Sequence, residues 1–129
     1  MKLYHFSNNK FDTIKIDYFG YNSYTKNDAQ YLIKRFFCYD TLQAKEYTLK
    51  NCDYRYTIEI DDNNIYNLDN DNLKLKEIFN FDIDLILDYI SKNYIACCYT
   101  TSFLCYCIFQ NIKPVKTEKR LYNEYKKIS

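Results

Sequence analysis

The feature that most restricts the fold is a regular alternation of side chains at residues 54–60. Every second residue there is a tyrosine or an isoleucine: Tyr54, Tyr56, Ile58 and Ile60. Successive side chains of a strand point to opposite faces of a sheet, so this period of two predicts a strand with one buried and one solvated face. The chain must therefore contain a sheet that packs on a hydrophobic core.

A second alternation lies at the start of the sequence. Residues 2–7 predict a first strand that places Leu3 and His5 on one face and Tyr4 and Phe6 on the other. Residues 118–120 are interpreted as a turn or bulge. Further strands or extended segments are predicted from apolar runs bounded by turn residues, at 11–16, 36–39, 65–68, 112–118 and 121–128.

Helices are predicted between these strands. One begins at Asp40 or Thr41, which suit the N-cap, and ends near residue 49. A short helix is expected at 73–79. A longer one is expected at 81–92, with an apolar face formed by Leu85, Ile86, Tyr89 and Ile90.

Two segments have no clear period. Residues 94–110 are apolar nearly all round, which predicts a buried helix, whole or broken near Thr100. Residues 17–30 are polar and aromatic and predict a long loop. The resulting order of elements predicts a single α+β domain over residues 1–129, with short mixed or antiparallel strands flanked by helices.

Composition limits the possible partners. The formal net charge is +1, from 18 basic and 17 acidic residues, which makes no electrostatic case for nucleic acid or a membrane surface as the main partner. The single glycine argues against glycine-rich phosphate loops. The N-terminus has no apolar stretch typical of a signal peptide, so a cytoplasmic protein with six reduced, buried cysteines is expected.

The only histidine, His5, is the first candidate for a functional residue. It is either an ordinary strand residue or a group around which other functional side chains are placed. One weaker alternative pairs it with Cys38 as a nucleophile. Another is a calcium loop at 69–72, although the loop lacks a central glycine and a terminal glutamate. The last is a zinc site made by Cys97, Cys98, Cys105 and Cys107.

Several segments together resemble the ADP-ribosyltransferases of the diphtheria-toxin and poly(ADP-ribose) polymerase type. The first is Tyr4-His5-Phe6-Ser7 followed by Phe11-Asp12, which is similar to the opening of these enzymes. The others are an aromatic strand running into a possible helix, a central strand pair and the segment after the last helix, found here at 35–47, 54–68 and 111–118. In length and order of segments the chain is similar to small phage-encoded anti-CRISPR members of the family.

This resemblance implies NAD as a substrate and a macromolecule, a protein more than a nucleic acid, as the acceptor. It implies that His5 and Glu118 are catalytic: His5 bonds a ribose hydroxyl and Glu118 stabilises the oxocarbenium-like transition state. Glu59 and Glu124 are competing carboxylates. The remaining NAD-binding residues implied by the resemblance are Phe6, Ser7, Arg35, Tyr39 and Tyr47.

The same resemblance supports a second interpretation. Relatives carry glycines around the second segment and before the last strands, where this chain has other residues. A catalytically silent member of the fold could still bind a partner protein as an inhibitor in phage–host conflict. NAD binding and turnover separate the two interpretations.

Overall fold

Eight strands and two α-helices make up the described part of the chain. The structure, a computed structural model, describes residues 1–16, 33–100 and 103–129, so the loop predicted at 17–30 lies outside it. The elements, in chain order, are β1 (Lys2–Ser7), β2 (Phe36–Cys38), β3 (Tyr54–Glu59), β4 (Ile65–Asn67), α1 (Leu75–Ile78), α2 (Ile83–Asn93), β5 (Ala96–Thr100), β6 (Leu104–Ile108), β7 (Lys116–Leu121) and β8 (Glu124–Lys127).

The strands form two four-stranded sheets. The first has the order β1-β3-β7-β8 and is antiparallel throughout. The second has the order β2-β6-β5-β4, in which only the β4–β5 pair is parallel. This mixed architecture confirms the α+β class, with more strand and less helix than the sequence predicted.

The main core lies between the two sheets. The first sheet contributes Leu3, Tyr56 and Ile58, and the second contributes residues of β2, β5 and β6. We call the side of the first sheet that carries Leu3, Tyr56 and Ile58 its inner face, and the opposite side its outer face. The alternation at 54–60 therefore predicted the buried side correctly.

The outer face of the first sheet is solvated only in part, contrary to the prediction, and Glu59 is its one exposed residue in β3. Thr57 is buried, and Arg55 is only partly exposed. A second apolar cluster covers part of this face. It consists of Phe6, Tyr39, Cys52 and Cys105, with Ala44, Leu49 and Tyr125 packed against it. The period of two located the strand but could not show that its polar side chains are covered too.

The helix predicted at 94–110 is wrong, because this segment forms the β5–β6 hairpin. Its cross-strand pairs include Cys97 with Cys107 and Cys98 with Tyr106. A sequence that is apolar on every side fits a strand buried on both faces as well as a buried helix. Here one face packs on the main core, and the other packs on α1 and α2.

The helix predicted at 41–49 is also wrong, since the segment contains only a 3₁₀ turn at Tyr47–Leu49. None of the three residues in that turn is buried. Short helices derive most of their stability from packing an apolar face, and this segment has too few buried side chains to supply one.

The two predicted helices around residues 73–93 are confirmed, but the predicted face of the longer one is partly wrong. The buried residues of α2 are Ile86, Leu87 and Ile90, whereas Leu85 and Tyr89 are exposed. Asp82 caps the helix by accepting bonds from the backbone N–H groups of Asp84 and Leu85. No helix in the described ranges is long and apolar enough to cross a membrane.

At the C-terminal end the predicted boundaries are displaced. Residues 118–120, predicted as a turn, lie inside β7, and the chain turns instead at Tyr122, which has φ 59°. The segment predicted as one strand at 121–128 therefore holds the end of β7, a turn and β8. This shift places Glu118 in the middle of the first sheet.

Candidate functional site

The register of the first sheet places the two proposed catalytic residues on opposite faces. Across the sheet, His5 is opposite Tyr56 and Tyr56 is opposite Thr117, so His5 belongs to the inner face together with Tyr56. Phe6 is opposite Arg55, which is opposite Glu118. Directly opposed residues share a face and neighbours along a strand do not. The hypothesis that His5 and Glu118 converge on one cleft is therefore wrong.

His5 lies at the junction of the two sheets. Its Nδ1 is 2.7 Å from the carbonyl oxygen of Phe37, which fixes the proton on Nδ1 and leaves Nε2 as an acceptor. The ring packs edge-on against Phe36, with centroids 5.2 Å apart, and lies near the Tyr56 ring. Burial lowers the pKa of His5, although the bond to Phe37 opposes this effect. The imidazole is consequently neutral at pH 7.

Glu118 is buried and bound to Arg55. Its two carboxylate oxygens accept bonds of 2.9 Å each from Nε and Nη2 of Arg55, and Lys116 lies 3.7 Å away. Burial alone would raise the pKa of Glu118, but the bonds and charges of Arg55 and Lys116 outweigh it and lower the pKa. Glu118 is thus an ionised carboxylate whose two oxygens both have guanidinium partners.

Arg55 organises the outer face around this pair. Its Nη1 donates to the carbonyl oxygen of Leu42, and its guanidinium carbon lies 4.5 Å from the centroid of the Tyr125 ring. Tyr125 in turn contacts Phe6 and donates through its hydroxyl to the carbonyl oxygen of Cys52. An open cleft of about 600 Å³ lies above these side chains.

Phe6 and Tyr39 are the predicted NAD-binding residues that the structure brings together. Their ring centroids are 6.3 Å apart in the outer-face cluster. Tyr39 is buried, and its hydroxyl donates to Glu46. Burial, followed by the negative charge of Glu46, raises the pKa of Tyr39 well above its usual range.

The other predicted NAD-binding residues lie elsewhere. Ser7 ends β1 and accepts a bond from the backbone N–H of Asn9. Arg35 is buried beside the Phe37 ring and donates to the carbonyl oxygen of Ile33. Its positive charge acts to lower the pKa values of Tyr99 and Cys107, which burial raises. Tyr47 is 85% exposed. These side chains do not share a site with Phe6 and Tyr39.

The alternative sites are not assembled either. No group of three or more histidine, cysteine or acidic side chains in the described residues could hold a metal ion. Burial raises the pKa of the Cys38 thiol well above its usual value, which makes it a poor nucleophile. In the proposed calcium loop, Asp71 is occupied by the Tyr66 hydroxyl and the backbone N–H groups of Leu75 and Lys76.

Arg55 and Tyr125 are the outer-face residues that sequence reasoning missed. Arg55 occurs in the polar phase of a strongly alternating strand, and such residues are normally solvated. The only available signal was that a strand arginine can pair with a carboxylate on a neighbouring strand. No such pairing could be predicted while Glu118 was assigned to a turn.

Comparison with known proteins does not add a relative. No family model matches the sequence, and neither the curated proteins nor the solved structures yield a significant match.

Proposed function

We propose that this chain is an ADP-ribosyltransferase-like domain that acts by binding a partner protein, as an inhibitor in phage–host conflict, and not by transferring ADP-ribose. The observation that carries the proposal is the separation of His5 from Glu118. A transferase of this type needs a carboxylate beside the ribose that the histidine holds. Here the implied carboxylate lies on the other face of the sheet, and its charge is already matched by Arg55.

The corner between α1 and α2 offers a surface for such a partner. Ile78 and Phe81 are 65% and 71% exposed, and Leu85 is 50% exposed. Phe81 also has φ 61°, a backbone conformation that is unfavourable for a bulky side chain. Large apolar side chains that are left exposed within a short segment favour an interaction site. We call Ile78, Phe81 and Leu85 the apolar corner.

The charge around the apolar corner indicates the chemistry of the partner. Between residues 76 and 92 the sequence has four carboxylates, Glu77, Asp82, Asp84 and Asp88, and two lysines, Lys76 and Lys92. Lys92 pairs with Asp88 at 2.9 Å, so an excess of negative charge remains. An acidic rim around an apolar centre complements a basic surface that carries its own apolar side chain. The partner proposed here is therefore a basic protein, such as one that binds nucleic acid.

A second candidate function is the NAD-dependent mono-ADP-ribosyltransferase. The observation that favours it is the single tautomer of His5, which leaves Nε2 free to accept a bond from a ribose hydroxyl. In that case a group other than Glu118 must stabilise the positive charge that develops on the ribose in the transition state. NAD is the small-molecule substrate in this proposal.

The two candidates are tested by measuring NAD binding and nicotinamide release by the full chain. The wild type is compared with His5→Gln and with Lys113→Gln, an exposed control. No binding at millimolar NAD and no nicotinamide supports the inhibitor. Nicotinamide release that His5→Gln abolishes and Lys113→Gln retains supports the transferase and contradicts the inhibitor.

Partner binding needs its own test. Host proteins that cross-link to the wild type are compared with those that cross-link to a Phe81→Ser, Leu85→Ser double variant. The proposal predicts that a basic protein is lost from the double variant and kept by Lys113→Gln. Equal recovery with all three chains contradicts the apolar corner as the docking surface.

A further inference from the structure

The outer face of the first sheet carries an open cleft whose lining includes neither His5 nor the apolar corner. The cleft, of about 600 Å³, is lined by Phe6, Lys50, Asn51, Arg55, Arg120 and Tyr125 among others. We propose that this cleft binds a small phosphate-bearing ligand, either free pyrophosphate or a nucleotide. The proposal is independent of the proposed function.

The balance of charges in the cleft supports an anion. Arg55 is neutralised by Glu118, and Glu124 at the rim is paired with Lys126 at 2.9 Å. Arg120 and Lys50 have no carboxylate partner among the residues that the structure describes. Two positive charges, on Arg120 and Lys50, therefore remain in the cleft without an ion-pair partner among the described residues.

The geometry also places the cations close together. Arg120 is directly opposite Tyr125 on the neighbouring strand, and the positive charges of Arg120 and Arg55 both act to lower the pKa of Tyr125, which burial raises. Arg55 and Arg120 both belong to the outer face, because Arg55 is directly opposite Glu118 and Arg120 follows Glu118 by two residues in β7. Bonds to Glu118 and Leu42 hold Arg55 in place, so this side of the site is preorganised.

Phosphate suits these groups better than other common anions. Arg120 can bind phosphate oxygens through paired N–H donors, and Lys50 adds a second positive charge for a pyrophosphate. The amide side chain of Asn51 adds a neutral donor, while Phe6 and Tyr125 supply an apolar floor. The cleft volume lies within the range of roughly 300–1,000 Å³ that is typical of small-ligand sites.

The test is isothermal titration calorimetry of the full chain with sodium pyrophosphate and, separately, with ADP. The wild type is compared with Arg120→Gln, Lys50→Gln and the control Lys113→Gln. The site predicts that Arg120→Gln weakens binding about tenfold or more, as expected for a lost charge-assisted contact. Lys50→Gln weakens it less, and Lys113→Gln keeps the wild-type affinity, because Lys113 does not line the cleft.

The two ligands separate the sources of phosphate. Equal affinities show that the phosphate groups alone are recognised, and tighter ADP binding shows that the nucleoside also occupies the cleft. Both results support the site. Absence of binding to the wild type at millimolar ligand overturns it, as does an equal affinity of Lys50→Gln, Arg120→Gln and Lys113→Gln. Lys50 is exposed, so its variant tests the site even if Arg120→Gln is unstable.

Discussion

At the scale of single residues, Glu118 is the side chain whose role changes most between sequence and structure. Its side chain is 5% exposed and that of its partner Arg55 is 14% exposed. Removing one member of a buried ion pair leaves the other charge without compensation. We expect Glu118→Gln to lower the free energy of unfolding by about 3 kcal/mol, measured by urea denaturation.

Glu124→Gln is the matched control for this prediction. Glu124 is paired with Lys126, but both side chains are mostly exposed. Exposed pairs contribute little because water and salt screen them. A loss of stability in Glu124→Gln as large as that in Glu118→Gln would contradict the structural role assigned to the buried pair.

The lowered pKa of Glu118 predicts a pH dependence. The carboxyl group is more acidic in the folded chain than its ordinary value of 4.5, because the bonds and charges of Arg55 and Lys116 outweigh the effect of burial. Its contribution to stability is therefore complete above pH 4.5 and is lost as the pH falls through the lower folded pKa. The difference in unfolding free energy between wild type and Glu118→Gln should be constant near neutral pH and shrink in acid.

His5 provides a second test of pH dependence, since it gives the only imidazole signal in the chain. Its pKa is lowered from 6.5 by burial, with the bond to Phe37 as a smaller opposing effect. We expect an NMR titration midpoint below 6.5. The unfolded chain binds a proton more readily than the folded one, so stability contributed by neutral His5 declines as the pH drops below 6.5. A midpoint at or above 6.5 would show that the ring is solvated.

At the scale of elements, the α1–α2 connection combines exposure with an unfavourable backbone. Asn80 and Phe81 both have positive φ, and the Phe81 side chain is 71% exposed. A left-handed conformation costs a bulky residue about 1–2 kcal/mol, which glycine avoids. We therefore expect Phe81→Gly to change the free energy of unfolding by less than about 1 kcal/mol, despite the loss of an aromatic ring.

Phe79→Gly provides the comparison within the same connection. Phe79 has φ −98° and its ring packs against Tyr89, with centroids 5.9 Å apart. A glycine at this position relieves no unfavourable φ and removes a packed ring. Thermal or urea unfolding should therefore show that the free energy of unfolding falls by about 2 kcal/mol or more. Equal losses in both variants would mean that Phe81 contributes to folding and is not kept for binding.

The elements also show where sequence reasoning was sufficient. Alternation at residues 2–7 and 54–60 predicted β1 and β3, and at 54–60 it also predicted the buried face, because the period of two depends only on local geometry. The hairpin at 94–110 was missed because a segment buried on both sides has no period to detect. The positions of Glu118 and His5 on opposite faces depend on the register between distant strands, which no local pattern contains.

The candidate site was predictable to a similar extent. His5 was identified from its position in β1, and its neighbour Phe6 was placed on the opposite face correctly. The contribution of Arg55 was not predictable, because it requires β3 to lie between β1 and β7. Assigning Glu118 to a turn hid this arrangement, and one strand boundary thus changed the interpretation of the whole site.

At the scale of the molecule, the two sheets share one core and present different chemistry on their outer sides. The first sheet carries the basic cleft around Arg120. Beyond the second sheet, α1 and α2 pack on its outer side and carry the apolar corner with its acidic rim. The small net charge thus combines a basic surface and an acidic one, which are the two surfaces that the proposals above assign to different partners.

The shared core predicts that both sheets unfold together. Ile108 of the second sheet is fully buried and packs in the same cluster as Leu3 and Ile58 of the first. We expect Ile108→Ala to lower the free energy of unfolding by about 2–5 kcal/mol. The cavity left by the shortened side chain lies between the sheets, so it should destabilise both sheets together, as in a two-state transition.

Two probes check this cooperativity in urea. Far-UV circular dichroism reports the strands of both sheets, and the His5 imidazole signal reports their junction at Phe36 and Phe37. The midpoints should coincide in the wild type and shift equally in Ile108→Ala, with the slope unchanged. A His5 transition that precedes the loss of dichroism would show that the sheets separate before they unfold. The position of His5 would then depend on the docking of the sheets and not on a single cooperative fold.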